Sequence, residues 1–117
     1  MVTRHKNFIN GKFVDSMSAE FVPVLTPATG EVLSEAPDTQ PPQVGDAIAA
    51  AKQVQRAWEA RPAIERAGYL GQISAKVRED VSALATTIWA EQGKTLSVAE
   101  FKVAFTSDYL DSMAECA

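Results

Sequence analysis

TLSVAEFKVAFTSDYLDSMAECA, residues 95–117, sets apolar side chains at Val98, Phe101, Phe105, Tyr109 and Met113. Steps of three and four residues put them on one face of a helix. A helix that stops by design carries Gly or Asn just past its last turn, or basic residues within it. Cys116-Ala117 supplies neither, which leaves the last carbonyls to fraying or water. The expectation is a helix belonging to the opening of a longer protein.

Working back from that helix, Gly93 closes the preceding segment, and the last helix starts near Thr95 or Ser97. Ser97-Val-Ala-Glu100 has capping-box spacing, or lies within the first turn. The segment before Gly93 carries Leu70, Ile73, Val77, Val81, Leu84 and Ile88 at helical spacing, with Glu79-Asp80 as a kink or break midway. Arg61-Pro62 separates it from an earlier stripe of Val44, Ile48, Ala51, Gln55 and Trp58, widened by Ala47 and Val54. Three prolines between residues 37 and 42 make the one linker-like stretch, and Thr39 or Gln40 precedes the first helical turn.

Ahead of residue 37 the period is that of strands. Asn10-Gly11 stands between Asn7-Phe-Ile and Lys12-Phe-Val14, the strongest short-range hairpin signal. A second pair, Phe21–Leu25 and Glu31–Glu35, is joined by Thr26-Pro-Ala-Thr-Gly30. Pro23 cannot donate to a ladder, which places its strand at an edge or makes it irregular. The chain thus divides into a strand-rich part, 1–36, and a helical part, 41–117.

Composition narrows the function classes. The 117 residues are 46% apolar and 22% charged with a net charge of −4, enough chain for one core. That charge disfavours nucleic acid and anionic membrane surfaces as partners. No apolar run approaches the roughly 20 residues of a membrane span. The basic start, Met1 to Lys6, has no apolar region typical of a signal peptide. A single cysteine makes no internal disulfide, and the reading is a cytoplasmic protein.

Several motifs fail when checked. Gly93-Lys94-Thr95 resembles the end of a phosphate-binding loop, but the required glycine at position 88 is Ile88. There is no Gly-x-Gly-x-x-Gly. His5, the one histidine, falls in what reads as a loose terminus. Cys116 has Glu115 beside it at a helix C-terminus, where the dipole disfavours a thiolate. No histidine or cysteine cluster forms a zinc site. Catalytic and cofactor-binding residues are therefore both read as none within this chain.

Phe8-Ile-Asn-Gly-Lys-Phe-Val14, Thr26-Pro-Ala-Thr-Gly-Glu-Val32, Ala47-Ile-Ala-Ala-Ala51 leading to Trp58, Glu65-Arg66, and Glu91-Gln-Gly-Lys94 occur in this order. Together they resemble the start of the aldehyde dehydrogenase superfamily over nearly the whole chain. Pro62–Ala67 and, above all, Val103–Glu115 are similar to the lactaldehyde/glycolaldehyde dehydrogenase branch. Two positions depart from the pattern. Thr26 stands where relatives usually have Asn, and Cys116 where they often carry Trp.

The resemblance implies an α/β parent, of which this chain is an α+β amino-terminal segment. It would hold two short strand pairs followed by three or four helices, the incomplete amino-terminal part of a dinucleotide-binding domain. It implies an NAD-dependent oxidation of a small 2-hydroxyaldehyde by thiolate attack, hydride transfer and thioester hydrolysis. The cysteine, glutamate, asparagine and cofactor contacts would all lie beyond residue 117. It also implies a homo-oligomeric parent in which this segment packs on the rest of its own chain.

Within the segment, Phe101 and Phe105 align with the substrate entrance, with plain core packing as the competing reading. Val24 and Leu25, through carbonyls, and Glu91, through its carboxylate, match a monovalent-cation site of some relatives. Three oxygens do not complete such a shell, and an ordinary near-terminal helix residue is the alternative for Glu91. The rival to the enzyme as a whole is a small acidic interaction module, or truncated remnant, without catalysis.

Overall fold

A computed structural model describes residues 2–116. They form two compact units, one running to Glu59 and the other starting at Ala60. The first contains five strands and one helix: β1 (Thr3–Arg4), β2 (Asn7–Ile9), β3 (Lys12–Val14), β4 (Phe21–Leu25), β5 (Val32–Pro37) and α1 (Pro41–Glu59). The second holds α2 (Ala63–Glu79), α3 (Val81–Gln92) and α4 (Leu96–Glu115). This is the expected α+β segment, with four helices.

β2 and β3 pair antiparallel, Phe8 opposite Phe13. The two-residue turn has φ 50° at Asn10 and 76° at Gly11, the positive pair that a hairpin with the strands' natural twist requires. The second pair also forms, β4 antiparallel to β5, with a register irregularity between Val24 and Leu25. In the order β1-β5-β4, Pro23 lies on an edge strand, where its missing N–H costs no ladder bond. The turn between β4 and β5 is closed through the backbone of Thr26, whose carbonyl accepts from the Gly30 amide at 2.8 Å. Thr29 Oγ1 adds a side-chain pin on the Glu31 amide.

The start of the chain corrects the expectation of a loose terminus. Thr3 and Arg4 run parallel to Ser34 and Glu35 of β5, and the His5 amide donates to the Glu35 carbonyl at 2.9 Å. The Arg4 guanidinium pairs with Glu35 at 2.7 Å and lies over the Phe21 ring. Within the same unit the side chain of Gln43 is buried, accepting from the Met17 amide and donating to the Asp15 carbonyl. The apolar stripe read on α1 is exposed at Val44, Ile48, Val54 and Trp58.

In the second unit, α2 starts after Pro62 and is separated from α3 by Asp80. Gly93 ends α3 in the left-handed conformation, φ 65°, and its amide donates to the Trp89 carbonyl, the arrangement that favours glycine there. Thr95 is the N-cap of α4 and makes no side-chain cap bond, so Ser97–Glu100 lies inside the first turn and is no capping box. The core is small: Ala85, Ala99 and Val103, with Val77, Val81 and Ile88 packed against it. Ile73 and Leu84 of the expected stripe are exposed.

Candidate functional site

α4 presents two unlike faces. One is buried through Ala99, Val103 and Ser107, at steps of four residues. Such small side chains let helix backbones approach closely. The other carries Val98, Phe101, Phe105, Tyr109 and Met113, all exposed. The aromatic stripe is therefore not the face that packs within this unit. Phe101 and Phe105 are 69% and 60% exposed, which removes core packing within the described residues as their role. They lie one turn apart with ring centroids at 6.3 Å and planes 23° apart, a stacked pair presenting a continuous aromatic surface.

A polar cluster joins α2 to the same helix. Ser74 and Ser107 are fully buried, and the Ser74 hydroxyl donates to the Ser107 carbonyl at 3.1 Å. Arg78 donates to Ser74 Oγ at 2.6 Å through Nη1. Its Nη2 reaches Asp108 at 3.0 Å and Asp111 at 2.6 Å. These hydrogen bonds hold the Asp111 carboxyl below its ordinary value, Arg78 contributing most and Ser74 next. The same two aspartates push the Arg78 guanidinium up, Asp111 first. Sequence reasoning missed this cluster. Its one legible sign is a pair of aspartates three apart, which share a helix face but do not name a partner 30 residues away.

The candidate cation ligands fall in different units, Val24 and Leu25 in β4 and Glu91 near the end of α3. Among the described residues no three His, Cys, Asp or Glu side chains gather as a metal site. His5 and Cys116 are both exposed. No described helix is long and apolar enough to cross a membrane.

The start of α1 offers no seat for a dinucleotide phosphate. α1, the helix that follows β5, opens on Pro41-Pro42, which have no N–H to offer. The next two amides, of Gln43 and Val44, both turn back to the Gln40 carbonyl at 3.1 and 3.2 Å. The glycines with positive φ serve the two hairpin turns and the α3 C-cap. Gly93-Lys94-Thr95 is a helix stop followed by a helix start. The Lys94 ammonium is held below the usual lysine value, chiefly by the like charge of Lys102.

These elements define one end of a well-populated fold. Residues 13–117 match the model of the aldehyde dehydrogenase family, and the chain belongs to that family. It is 46% identical over 114 residues to lactaldehyde dehydrogenase of Escherichia coli strain K12, covering 97% of this chain and 24% of that protein. A crystal structure of lactaldehyde dehydrogenase from Escherichia coli superposes with a TM-score of 0.95 at 43% identity, over 98% of this chain and 24% of that one. An NADP-dependent enzyme of Escherichia coli superposes with a TM-score of 0.91 at 31% identity, over 97% of this chain and 24% of that one. The chain thus spans about a quarter of the length of these relatives.

Proposed function

We propose that this chain is the opening segment of a cytoplasmic, homo-oligomeric, NAD-dependent aldehyde dehydrogenase that oxidises a small 2-hydroxyaldehyde, such as lactaldehyde or glycolaldehyde, to its acid. The similarity to lactaldehyde dehydrogenase over 97% of the chain carries this reading. The segment contributes scaffold. On this reading the segment is inactive by itself, and the catalytic and cofactor-holding groups belong to the chain beyond residue 117.

One local assignment goes with this reading. The exposed stack of Phe101 and Phe105 forms part of the wall of the substrate entrance. Aromatic surface there narrows the opening without offering a hydrogen bond to the aldehyde.

The first test is the DNA downstream of residue 117. An open frame encoding a cysteine-nucleophile segment supports the enzyme, and a natural stop codon supports the acidic module or remnant. Expressed from that frame, the complete protein should reduce NAD with lactaldehyde and glycolaldehyde. Reduction of NADP alone refutes the cofactor assignment, and preference for long or aromatic aldehydes refutes the substrate class.

A further inference from the structure

The aromatic pair on α4 can shape an entrance only if the helix is held at one height and one rotation. Its packed face is poorly suited to that task. Ala99, Val103 and Ser107 are small and evenly spaced, so sliding by one turn brings similar side chains back into similar places. One turn is about 5.4 Å along the axis, and packed elements do ratchet past each other by that distance.

Directional contacts break this degeneracy. The Ser74 hydroxyl selects the carbonyl of Ser107, and the fork of Arg78 spans Ser74, Asp108 and Asp111 at 2.6, 3.0 and 2.6 Å. A planar guanidinium satisfies three acceptors together in few orientations. After a one-turn slip the acceptors near Arg78 would come from residues 104 and 107, or from 112 and 115. Of these only Glu115 carries a carboxylate. The clamp therefore recognises one register. Phe105 lies two residues from Ser107, about 3 Å along the axis, and Phe101 six residues away, about 9 Å. A fixed clamp transmits its position to both rings.

We propose that Arg78 is a positioning residue: by gripping Ser74, Asp108 and Asp111 it sets the register of α4 on α2 and so decides where Phe101 and Phe105 stand in the substrate entrance. This rests on the entrance assignment made above, and the two are separated by testing them with different readouts. The register is measured in the complete enzyme by spin labels at Gln72→Cys and Ala104→Cys, both exposed in this segment, with Cys116 and the other accessible cysteines replaced by Ser. Arg78→Met keeps the apolar stem and removes the fork. It should broaden the label distance distribution and add a population displaced by about 5 Å, one turn. A distribution unchanged by Arg78→Met, or one already as broad with Arg78 in place, overturns the clamp.

The consequence for specificity is measured in the complete enzyme as the ratio of kcat/KM for a two- or three-carbon 2-hydroxyaldehyde to that for a six-carbon aldehyde. Arg78→Met should shift this ratio by roughly tenfold, the scale of a pocket changed by about a methylene. The shift should vanish when Phe101 and Phe105 are both already Ala, because the two rings carry the effect. A ratio is insensitive to how much enzyme folds, so mere loss of stability does not move it. A displaced register with an unmoved ratio in Arg78→Met, Phe101→Ala and Phe105→Ala retires the entrance assignment. A ratio that responds to the phenylalanines but not to Arg78 overturns the positioning role.

Discussion

Replacing Phe101 and Phe105 together by Ser tests how far this segment is from burying itself. The accessible surface is 8615 Å². A folded protein of 12.6 kDa exposes about 6,200 Å², and even two separate globules of half that mass expose about 7,500 Å² together. The excess over the second figure is about 1,100 Å². With somewhat over half of such surface apolar, this leaves about 16 kcal/mol of burial unrealised, as an upper estimate. That equals the whole stability of a typical domain, so the chain alone should lack a cooperative melt, bind a hydrophobic dye and associate as its concentration rises. A phenylalanine contributes roughly 200 Å², so at 69% and 60% exposure the pair supplies about 260 Å² of the open surface. The double substitution should cut dye fluorescence by roughly a quarter and raise the association midpoint, while helical circular dichroism persists because neither ring is on the packed face. Dye titration, sedimentation velocity and calorimetry are the assays. A sharp two-state melt from a monomer that binds no dye refutes the surface argument. Dye binding unchanged by the substitutions refutes the role given to the aromatic face of α4.

The 117-residue chain should neither oxidise aldehydes nor bind nicotinamide dinucleotide saturably, and one-site binding in the micromolar range by titration calorimetry would contradict the missing phosphate seat. Gly11→Val should destabilise the β2–β3 hairpin by at least about 1–2 kcal/mol, because φ 76° is forced on a branched residue even though no atom lies within 4 Å of the added Cβ. Faster amide exchange at Ile9 and Lys12 reads that loss, and unchanged protection would show that the turn tolerates a side chain. Acid should loosen α2 from α4. Asp111 titrates below its ordinary 3.8 because the folded state binds its charged form, so its contribution is complete above that pH and fades as pH falls through the lower folded value. The label distances of Asp111→Asn at neutral pH should match those of the parent chain in acid, and a parent distribution that stays constant down to pH 2 would refute the linkage.

The readable features were those in which one local requirement admits few residues. Asn10-Gly11 specifies a turn with two positive φ angles, Pro62 cannot continue a helix, and Gly93 fits a left-handed cap, so these boundaries appear where the residues say. β1 was unreadable for the opposite reason. Two residues carry no period, and their partner is a parallel strand 31 residues away. The orientation of α4 stayed open for a third reason. Periodicity groups Phe101 and Phe105 on one face without saying whether that face packs within the unit, and it is the small side chains of Ala99, Val103 and Ser107 that are buried. The Arg78 cluster needs the helices docked before its members meet.

A helix with a small face inward and an aromatic face outward is a poor solution for an isolated domain and a good one for a part. Close packing through Ala and Ser leaves little apolar area to hold the unit together, and the large residues that could have supplied it are turned away. The same choice makes sense if the aromatic face has its own surface to complete. Small residues then bring α4 near α2, polar bonds fix its register, and the large side chains remain free for the remainder of the fold. On this view the weak core of Ala85, Ala99 and Val103 and the open aromatic stripe have one cause. Under the proposed function, they are the two sides of a helix that serves an assembly larger than the segment that carries it.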